Sequence, residues 1–304
     1  MMKLIECVPN FSEGRDEQKI NKIVNHIGQV DQVTILDVDS GFDTNRTVVT
    51  LLGPPLAIAE AAYQGIKIAS EIIDMTFHCG THPRLGATDV CPFIPISGVS
   101  EEECIKISKK VAERVGEKLK IPTYLYEKSA KNSFRSKLPD IRKGEYEGLS
   151  KKLSDPKWKP DFGPSQMNKR SGATIIGCRD FLIAYNINLN TKDHRLATDI
   201  AFELREIGRS KRIPHPNSKN LLDGDIVRQK NGKPVKVPGL FKNIKAIGWY
   251  VDTYNRAQIS INFNDYKTST IHDVFDAACK LAEERGIRVT GSELVGLVPK
   301  EALL

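Results

Sequence analysis

No stretch of this 304-residue chain is apolar for long enough to cross a bilayer as a helix. Phosphate loops of the GxxxxGK[ST] type and a strand-linked GxGxxG are also missing, so nothing indicates a nucleotide held by such a loop. Six cysteines occur, Cys7, Cys79, Cys91, Cys104, Cys178 and Cys279, yet none forms a CxxC pair or a framework spacing. Reduced thiols are therefore expected. The opening Met1-Met2-Lys3-Leu4-Ile5-Glu6 reaches an acidic residue too early for a secretory signal. These absences lead to the expectation of a soluble, cytoplasmic protein. Hydrophobic content of 40% and charged content of 27% are those of a globular chain with a real core.

What charge there is lies in one place. The net charge is +7, and residues 209–245 alone hold ten Lys or Arg against only Asp223 and Asp225. The remainder is thus about neutral. Pro214, Pro216, Pro234 and Pro238 interrupt the same segment, which reads as one long exposed loop or hairpin and not as a basic nucleic-acid groove. A solvated insertion and a landing place for a polyanionic small molecule both remain open.

Periodicity predicts an α/β (α+β) protein. Strand-like Leu4 to Val8 precedes a helix with Ile20, Ile23, Val24 and Ile27 on one face, then strands at Val33 to Val38 and Thr47 to Leu52. Pro54-Pro55 opens a helix with Ile58, Ala62, Ile66, Ala69 and Ile73 inward, followed by extended Val90 to Ile96. Ser100 and Glu103 form a capping box for a further helix, and Tyr124 to Tyr126 is a last strand. The second half repeats the order: strand Phe181 to Leu189, a helix carrying Leu196, Ile200, Leu204 and Ile207, and strands Ala246 to Val251 and Ala257 to Phe263. A helix capped by Thr270 and a strand Val289 to Val298 complete it. Two βαββαβ units follow, read as ferredoxin-like subdomains over 1–178 and 179–304, their sheets facing each other with helices outside. Residues 130–170, rich in Lys, Pro and Ser, are expected to connect them.

Two features carry chemistry. The loop Cys79-Gly80-Thr81-His82-Pro83-Arg84-Leu85-Gly86-Ala87-Thr88-Asp89-Val90-Cys91-Pro92 holds a histidine and an arginine on backbone stiffened by proline and bent at glycine. His82 can carry a proton near neutrality and Arg84 can hold a carboxylate, although an ordinary hydrogen-bonded loop histidine is an equal reading. A metal or thiolate site at Cys79, His82 and Cys91 lacks a regularly spaced fourth ligand, so no metal is expected. The second feature is a row of amides, Asn186, Asn188 and Asn190 on one strand and Gln258, Asn262 and Asn264 on another, opposite apolar faces. Such a face suggests a partly enclosed polar cleft, unless the amides only satisfy one another.

Longer stretches make the chain recognisable. Glu6-Cys7-Val8-Pro9-Asn10-Phe11-Ser12-Glu13-Gly14, Leu36-Asp37-Val38-Asp39, Asn45-Arg46-Thr47-Val48, His82-Pro83-Arg84 and Asp161-Phe162-Gly163-Pro164-Ser165 closely resemble the glutamate formimidoyltransferase family. So do Asp89-Val90-Cys91-Pro92-Phe93-Ile94-Pro95, Asn186-Ile187-Asn188-Leu189, Gly248-Trp249-Tyr250 and Gly291-Ser292-Glu293-Leu294-Val295-Gly296-Leu297-Val298-Pro299. The resemblance implies transfer of a formimino group from N-formimino-L-glutamate to N5 of tetrahydrofolate, in histidine degradation, by two subdomains facing a tunnel. It makes His82 the catalytic acid/base, with Asp39 beside it, and Gly163 to Gly172 the folate-contacting stretch, in which Gly163, Pro164, Ser165 and Gly172 match. It further implies tetrahydrofolate as acceptor with no metal, a homodimer, and a separate cyclodeaminase to take the product, since no such domain follows Leu304.

On that expectation the residue types acquire tasks. One imidazole can deprotonate the attacking N5 and reprotonate the departing glutamate nitrogen. Asp39 can hold the imidazole tautomer or balance an amidinium, and is otherwise a turn aspartate before Ser40-Gly41. Arg46 and Arg84 are candidates for the two glutamate carboxylates, and Asn10, Asn188 and Asn262 for amide contacts to pterin or donor. Formiminoglycine as donor, another one-carbon donor, and a non-catalytic folate-binding or nucleic-acid-binding module are the alternatives.

Overall fold

Prolines, caps and apolar spacing set most of the elements locally. In the computed structural model, which describes residues 2–304, the chain divides into two units that meet in sequence at Arg179 and Asp180. The first begins with strands β1 (Leu4–Cys7) and β2 (Asn10–Phe11) and helix α1 (Glu17–Gly28), whose first turn is closed by the Asp16 carboxylate accepting from the Gln18 and Lys19 amides. Strands β3 (Thr34–Gly41) and β4 (Arg46–Gly53) follow. Helix α2 (Pro55–Ile72) starts on Pro55, where the missing N–H costs nothing. Next come β5 (Thr88–Ser97) and α3 (Glu101–Lys118), where the Ser100 hydroxyl accepts from the Glu103 amide at 3.2 Å as the capping box requires. The unit closes with β6 (Thr123–Leu125), α4 (Leu138–Arg142), α5 (Glu145–Ser154) and β7 (Thr174–Cys178).

These strands make a seven-stranded sheet in the order β3-β4-β1/β2-β5-β7-β6, antiparallel except where β7 runs parallel to both β5 and β6. Helices α1, α2 and α3 bury Ile23, Ile27, Ile58, Ile66, Val111 and Val115 against Ile5, Cys7, Val49, Leu51, Phe93 and Ile176. The expected connector over 130–170 is instead folded. Ile141, Leu149 and Leu153 from α4 and α5 pack on Tyr124, Tyr126 and Ile175, so helices lie on both faces at the β6–β7 end. Those tyrosines would otherwise expose large apolar rings, which is the reason for the second cover.

The second unit holds β8 (Ile183–Leu189), α6 (His194–Leu204), the short strands β9 (Arg209–Ser210), β10 (Arg212–Ile213), β11 (Asp225–Ile226) and β12 (Lys236–Val237), then β13 (Ile244–Val251), β14 (Arg256–Phe263), α7 (Ile271–Glu284) and β15 (Val289–Val295). The last is shorter than expected, and Ile207, expected in the helix, is exposed beyond it. The sheet is antiparallel in the order β13-β14-β8-β15, with α6 and α7 packed on one face over Ile187, Ile259, Ile261 and Phe263. The basic segment forms two small ribbons, β10 with β11 and β9 with β12. It is tied down by Arg209, whose guanidinium pairs with the fully buried Asp199 and, at 2.5 Å, with Glu203. Arg285 meets the same Asp199 at 2.7 Å. Together the two units make an α+β protein. Among the described residues no helix is long and apolar enough to cross a membrane.

Candidate functional site

In the first unit, the face of the sheet turned away from α1, α2 and α3 collects polar side chains by simple alternation. Asp39 lies opposite Val48, which puts it on the face that also carries Arg46, two residues along β4. Asn10 pairs with Val48 and Val90 in the neighbouring strands and spends its amide on the Val8 carbonyl at 2.6 Å.

The histidine loop is strapped to the β3–β4 turn. Thr81 N–H donates to the Asp43 carbonyl at 3.1 Å, Asn45 Nδ2 donates to the Cys79 carbonyl at 2.9 Å, and His78 Nε2 donates to the Asn45 carbonyl at 2.9 Å. His82 is thereby delivered to Arg46. Its Nδ1–H donates to the Pro83 carbonyl at 2.7 Å, so Nε2 is an acceptor, and it takes a hydrogen bond from Arg46 Nη1. The tautomer-holding task expected of Asp39 falls here to that carbonyl. Burial above all, then the Arg46 and Arg142 charges, hold the imidazole down to about 3, against the opposing pull of the Pro83 carbonyl. Arg46 is itself brought down to about 10, by burial first and then by Arg142, with Asp89 and Asp39 pulling the other way. Its Nε–H is buried without a partner. The site is thus an imidazole held neutral, its one basic nitrogen covered by a buried cation.

Two further residues that the sequence reading did not single out frame this pair. Asp89 accepts from the Leu85 amide at 3.0 Å and forms an ion pair with Arg142 from α4, which fixes both the loop and the second cation near His82. Arg142 was hidden because it sits 60 residues beyond the motif, in a segment read as linker.

Arg84 has a different task from the one expected. Its guanidinium is bound by Glu147 at 2.5 Å and Glu145 at 3.0 Å, and its Nε–H donates to His78 Nδ1 at 3.3 Å. Those carboxylates of α5 raise its pKa and take the place of a substrate carboxylate. Both histidines are bonded at both nitrogens, His78 to the Asn45 carbonyl and Arg84, His82 to the Pro83 carbonyl and Arg46.

The stretch from Gly163 to Gly172 is bonded directly to the histidine loop. Ala87 N–H donates to the Ser171 carbonyl at 2.8 Å, and Ala173 N–H to the Leu85 carbonyl at 3.2 Å. Gly172 has φ +67°, and a Cβ there would lie 2.3 Å from the Leu85 carbonyl oxygen. Only glycine fits that close approach. At Gly163, with φ +81°, a Cβ would lie 2.5 Å from the Ile121 carbonyl oxygen. Pro164, with Lys120, Gln166, Met167 and Asn168, lines a hollow of about 320 Å³, and Ser165 is exposed beside it. His82 does not line that hollow.

Asn188 and Asn262 lie in the second unit, on the helix-free face of its sheet. There the amides do bond to each other, Gln258 Nε2 donating to Asn188 Oδ1 at 3.0 Å, but they also converge on Glu293, which accepts from Gln258 at 2.9 Å and Asn186 at 3.0 Å. Asn262 is exposed and takes no part. Among the described residues no group of three His, Cys, Asp or Glu side chains is placed to hold a metal ion. Cys91 lies instead against Cys7, their sulfurs 3.5 Å apart in the core.

Comparison with known proteins agrees with this layout. Residues 4–179 match the N-terminal subdomain of the formiminotransferase domain, and residues 184–304 match the formiminotransferase domain itself. The formimidoyltransferase-cyclodeaminase of Dictyostelium discoideum is 47% identical over the whole chain, which spans 52% of that relative. The chain is thus about half the length of the bifunctional relatives it matches. Glutamate formimidoyltransferases of Thermoplasma acidophilum, 41% identical, and Streptococcus pyogenes, 39% identical, are spanned over 90% and 92% of their length, again by the whole of this chain. With both halves of the sequence matched in order and the histidine loop, Arg46 and the 163–172 stretch brought into one neighbourhood, the chain belongs to the formiminotransferase family.

Proposed function

We propose that this protein is a glutamate formimidoyltransferase, which moves the formimino group of N-formimino-L-glutamate to N5 of tetrahydrofolate and releases 5-formiminotetrahydrofolate and L-glutamate. The observation that carries the reading is the imidazole of His82, fixed in one tautomer with a single basic nitrogen turned toward a cation. Tetrahydrofolate is the acceptor substrate, and the reaction needs no metal, because the folate is itself the carbon carrier.

The chemistry balances with one proton carrier. N5 attacks the sp² carbon of the formimino group and a tetrahedral adduct forms; His82 Nε2 takes the proton that N5 must lose. The imidazolium then gives that proton to the glutamate nitrogen, the bond from carbon to that nitrogen breaks, and the C=N bond is restored on the folate. An imidazole at about 3 is a weak base, first through burial and next through the Arg46 charge. A donor carboxylate drawing Arg46 to itself uncovers Nε2 and raises its basicity at the moment of need. Asp39 acts on the same cation and balances the amidinium that develops. Gly163, Pro164, Ser165 and Gly172 border the folate stretch, while Asn10 and, in the second unit, Asn188 and Asn262 supply amide contacts.

The finer architecture belongs to this proposal as well: two ferredoxin-like subdomains, 1–178 and 179–304, with their sheets facing across a folate cleft, in a cytoplasmic homodimer that passes its product to a separate cyclodeaminase. A second reading of the donor has an observation in its favour. Because Arg84 is occupied by Glu145 and Glu147, one arginine remains for two glutamate carboxylates, which favours formiminoglycine, with one. Turnover of both donors with tetrahydrofolate decides between them. His82→Ala is expected to remove most turnover and leave folate binding measurable; near-native turnover would rule out the proton role.

A further inference from the structure

Helices α4 and α5 are joined by one ammonium group. The last carbonyls of the short α4 find no further helical amides, and that of Ile141 accepts instead from Lys152 Nζ in the last turn of α5. The next residue, Arg142, pairs with Asp89, which in turn holds the Leu85 amide of the histidine loop at 3.0 Å. Arg142 is also among the charges that hold the His82 ring down. The other end of α5 binds Arg84 of the same loop through Glu145 and Glu147. Lys152 therefore sits at the far end of a short chain of contacts that leads to His82.

The setting of this lysine favours a free amine. It is half-buried, and among the described residues no carboxylate comes within 4.0 Å of its nitrogen. The Trp158 indole lies against it, with the nitrogen 4.5 Å from the ring centroid, and the charge beside it is that of Lys143. The indole and the Ile141 carbonyl hold the cation in place. Burial first and then the Lys143 charge work against them and bring the amine down to about 8. At neutral to mildly basic pH, about a quarter of it is then uncharged, against roughly one part in a thousand for an ordinary lysine. An uncharged amine fixed in one orientation is a nucleophile.

We infer that Lys152 is an acylation site for a small acyl phosphate, and that its charge sets the hold of α4 on the histidine loop. A site with a neighbouring cation and no carboxylate partner selects an anionic donor. The Nζ lone pair attacks the acyl carbon and a C–N bond forms. The C–O bond to phosphorus-bound oxygen then breaks, inorganic phosphate leaves with the electron pair, and the surplus proton of the amine passes to water. The product amide has no charge and one N–H in place of three, and its acyl group must lie between the Trp158 ring and the Ile141 carbonyl. Ile141 is fully buried, so the added atoms displace α4 and do not fit beneath it. Arg142 then slackens on Asp89, and the loop that carries His82 loses a strut. The acylation stands apart from the transferase reading; its effect on turnover rests on that reading.

The test treats the native chain and Lys152→Arg with acetyl phosphate, reads each lysine by peptide mass spectrometry, and follows the His82 ring by ¹⁵N NMR. Lys152 is expected to be acetylated about tenfold faster than the exposed Lys151 beside it, since its larger share of free amine outweighs the weaker nucleophilicity of a less basic one. In the acetylated native chain the His82 ring should titrate higher by about 0.3 units or more, because a charge that opposes its protonation has receded. Formation of 5-formiminotetrahydrofolate should fall about threefold or more. Lys152→Arg keeps a cation for the Ile141 carbonyl, so after the same treatment its His82 titration and turnover should match those of the untreated variant. Equal acetylation of Lys151 and Lys152 overturns the site. An unmoved His82 ring in a chain fully acetylated at Lys152 overturns the coupling, as does an equal shift in treated Lys152→Arg. A chain that shows the fast acetylation and the shift yet transfers no formimino group refutes the transferase reading and leaves this inference standing.

Discussion

Replacing Arg46 by methionine uncovers His82 Nε2 and removes the second-largest influence on that ring. Burial is the largest, so Arg46 accounts for no more than about half of the drop from 6.5 to about 3. Two unit charges 4 Å apart at an effective dielectric of 20 would interact by ~4 kcal/mol, or about three pH units, more than that ordering allows. A contribution of about one pH unit, ~1.4 kcal/mol in favour of the imidazolium, respects that ordering and is what a pair screened beyond that dielectric would give. Burial, Arg142 and the Pro83 carbonyl persist in the variant, so the ring should still titrate below 6.5. The assay is ¹⁵N NMR of labelled imidazole, with the His82 resonance assigned by its loss in His82→Gln. The expected result is an upward move of about one unit, together with a higher KM for the carboxylate-bearing donor. A ring titrating within about 0.3 units of the native value would refute the reasoning, because a covering cation cannot then be its governor.

The same ring makes stability depend on pH. Its folded value lies below its unfolded one, so between pH 6.5 and about 3 the unfolded chain binds a proton that the folded chain refuses. Stability from this source is present above 6.5 and lost as pH falls through that window, by up to ~5 kcal/mol; urea midpoints of His82→Gln should decline less steeply than native ones. Gly172→Ala, which sets a Cβ against the Leu85 carbonyl at positive φ, should cost about 1–3 kcal/mol and show as a lower Tm with weakened turnover. Asp199→Ala leaves the buried Arg209 and Arg285 with Glu203 as their one shared carboxylate among the described residues; a loss of up to about 3–5 kcal/mol is expected, with faster proteolysis inside 209–245. Proteolysis at the native rate would show that this carboxylate does not anchor the basic segment.

Local signals carried much of the fold and long-range ones did not. The 3.6-residue stripe of α2, the Ser100 cap of α3 and the alternation in β14 can all be seen in one window of sequence. Strand β7 could not, because Thr174–Cys178 is a short run buried on both faces, with no alternation, beside a Lys- and Pro-rich segment. Helices α4 and α5 were obscured for the same reason of composition, and with them Arg142 and the carboxylates that occupy Arg84. His82 stood out through its rigid loop, but its cover by Arg46 depends on a turn 36 residues earlier. Glu293 looked like part of a motif; only the register of β15 on β8 shows the amides gathering on it.

The central claim is that one imidazole serves both nitrogens that exchange the formimino carbon. Single-turnover mixing of tetrahydrofolate with N-formimino-L-glutamate, and separately with formiminoglycine, followed by the absorbance of 5-formiminotetrahydrofolate, tests it most directly. The account predicts formation with the native chain and a loss of about a hundredfold or more in His82→Ala, with folate affinity kept. Equal rates in the two proteins, or no formation from either donor by the native chain, would contradict it.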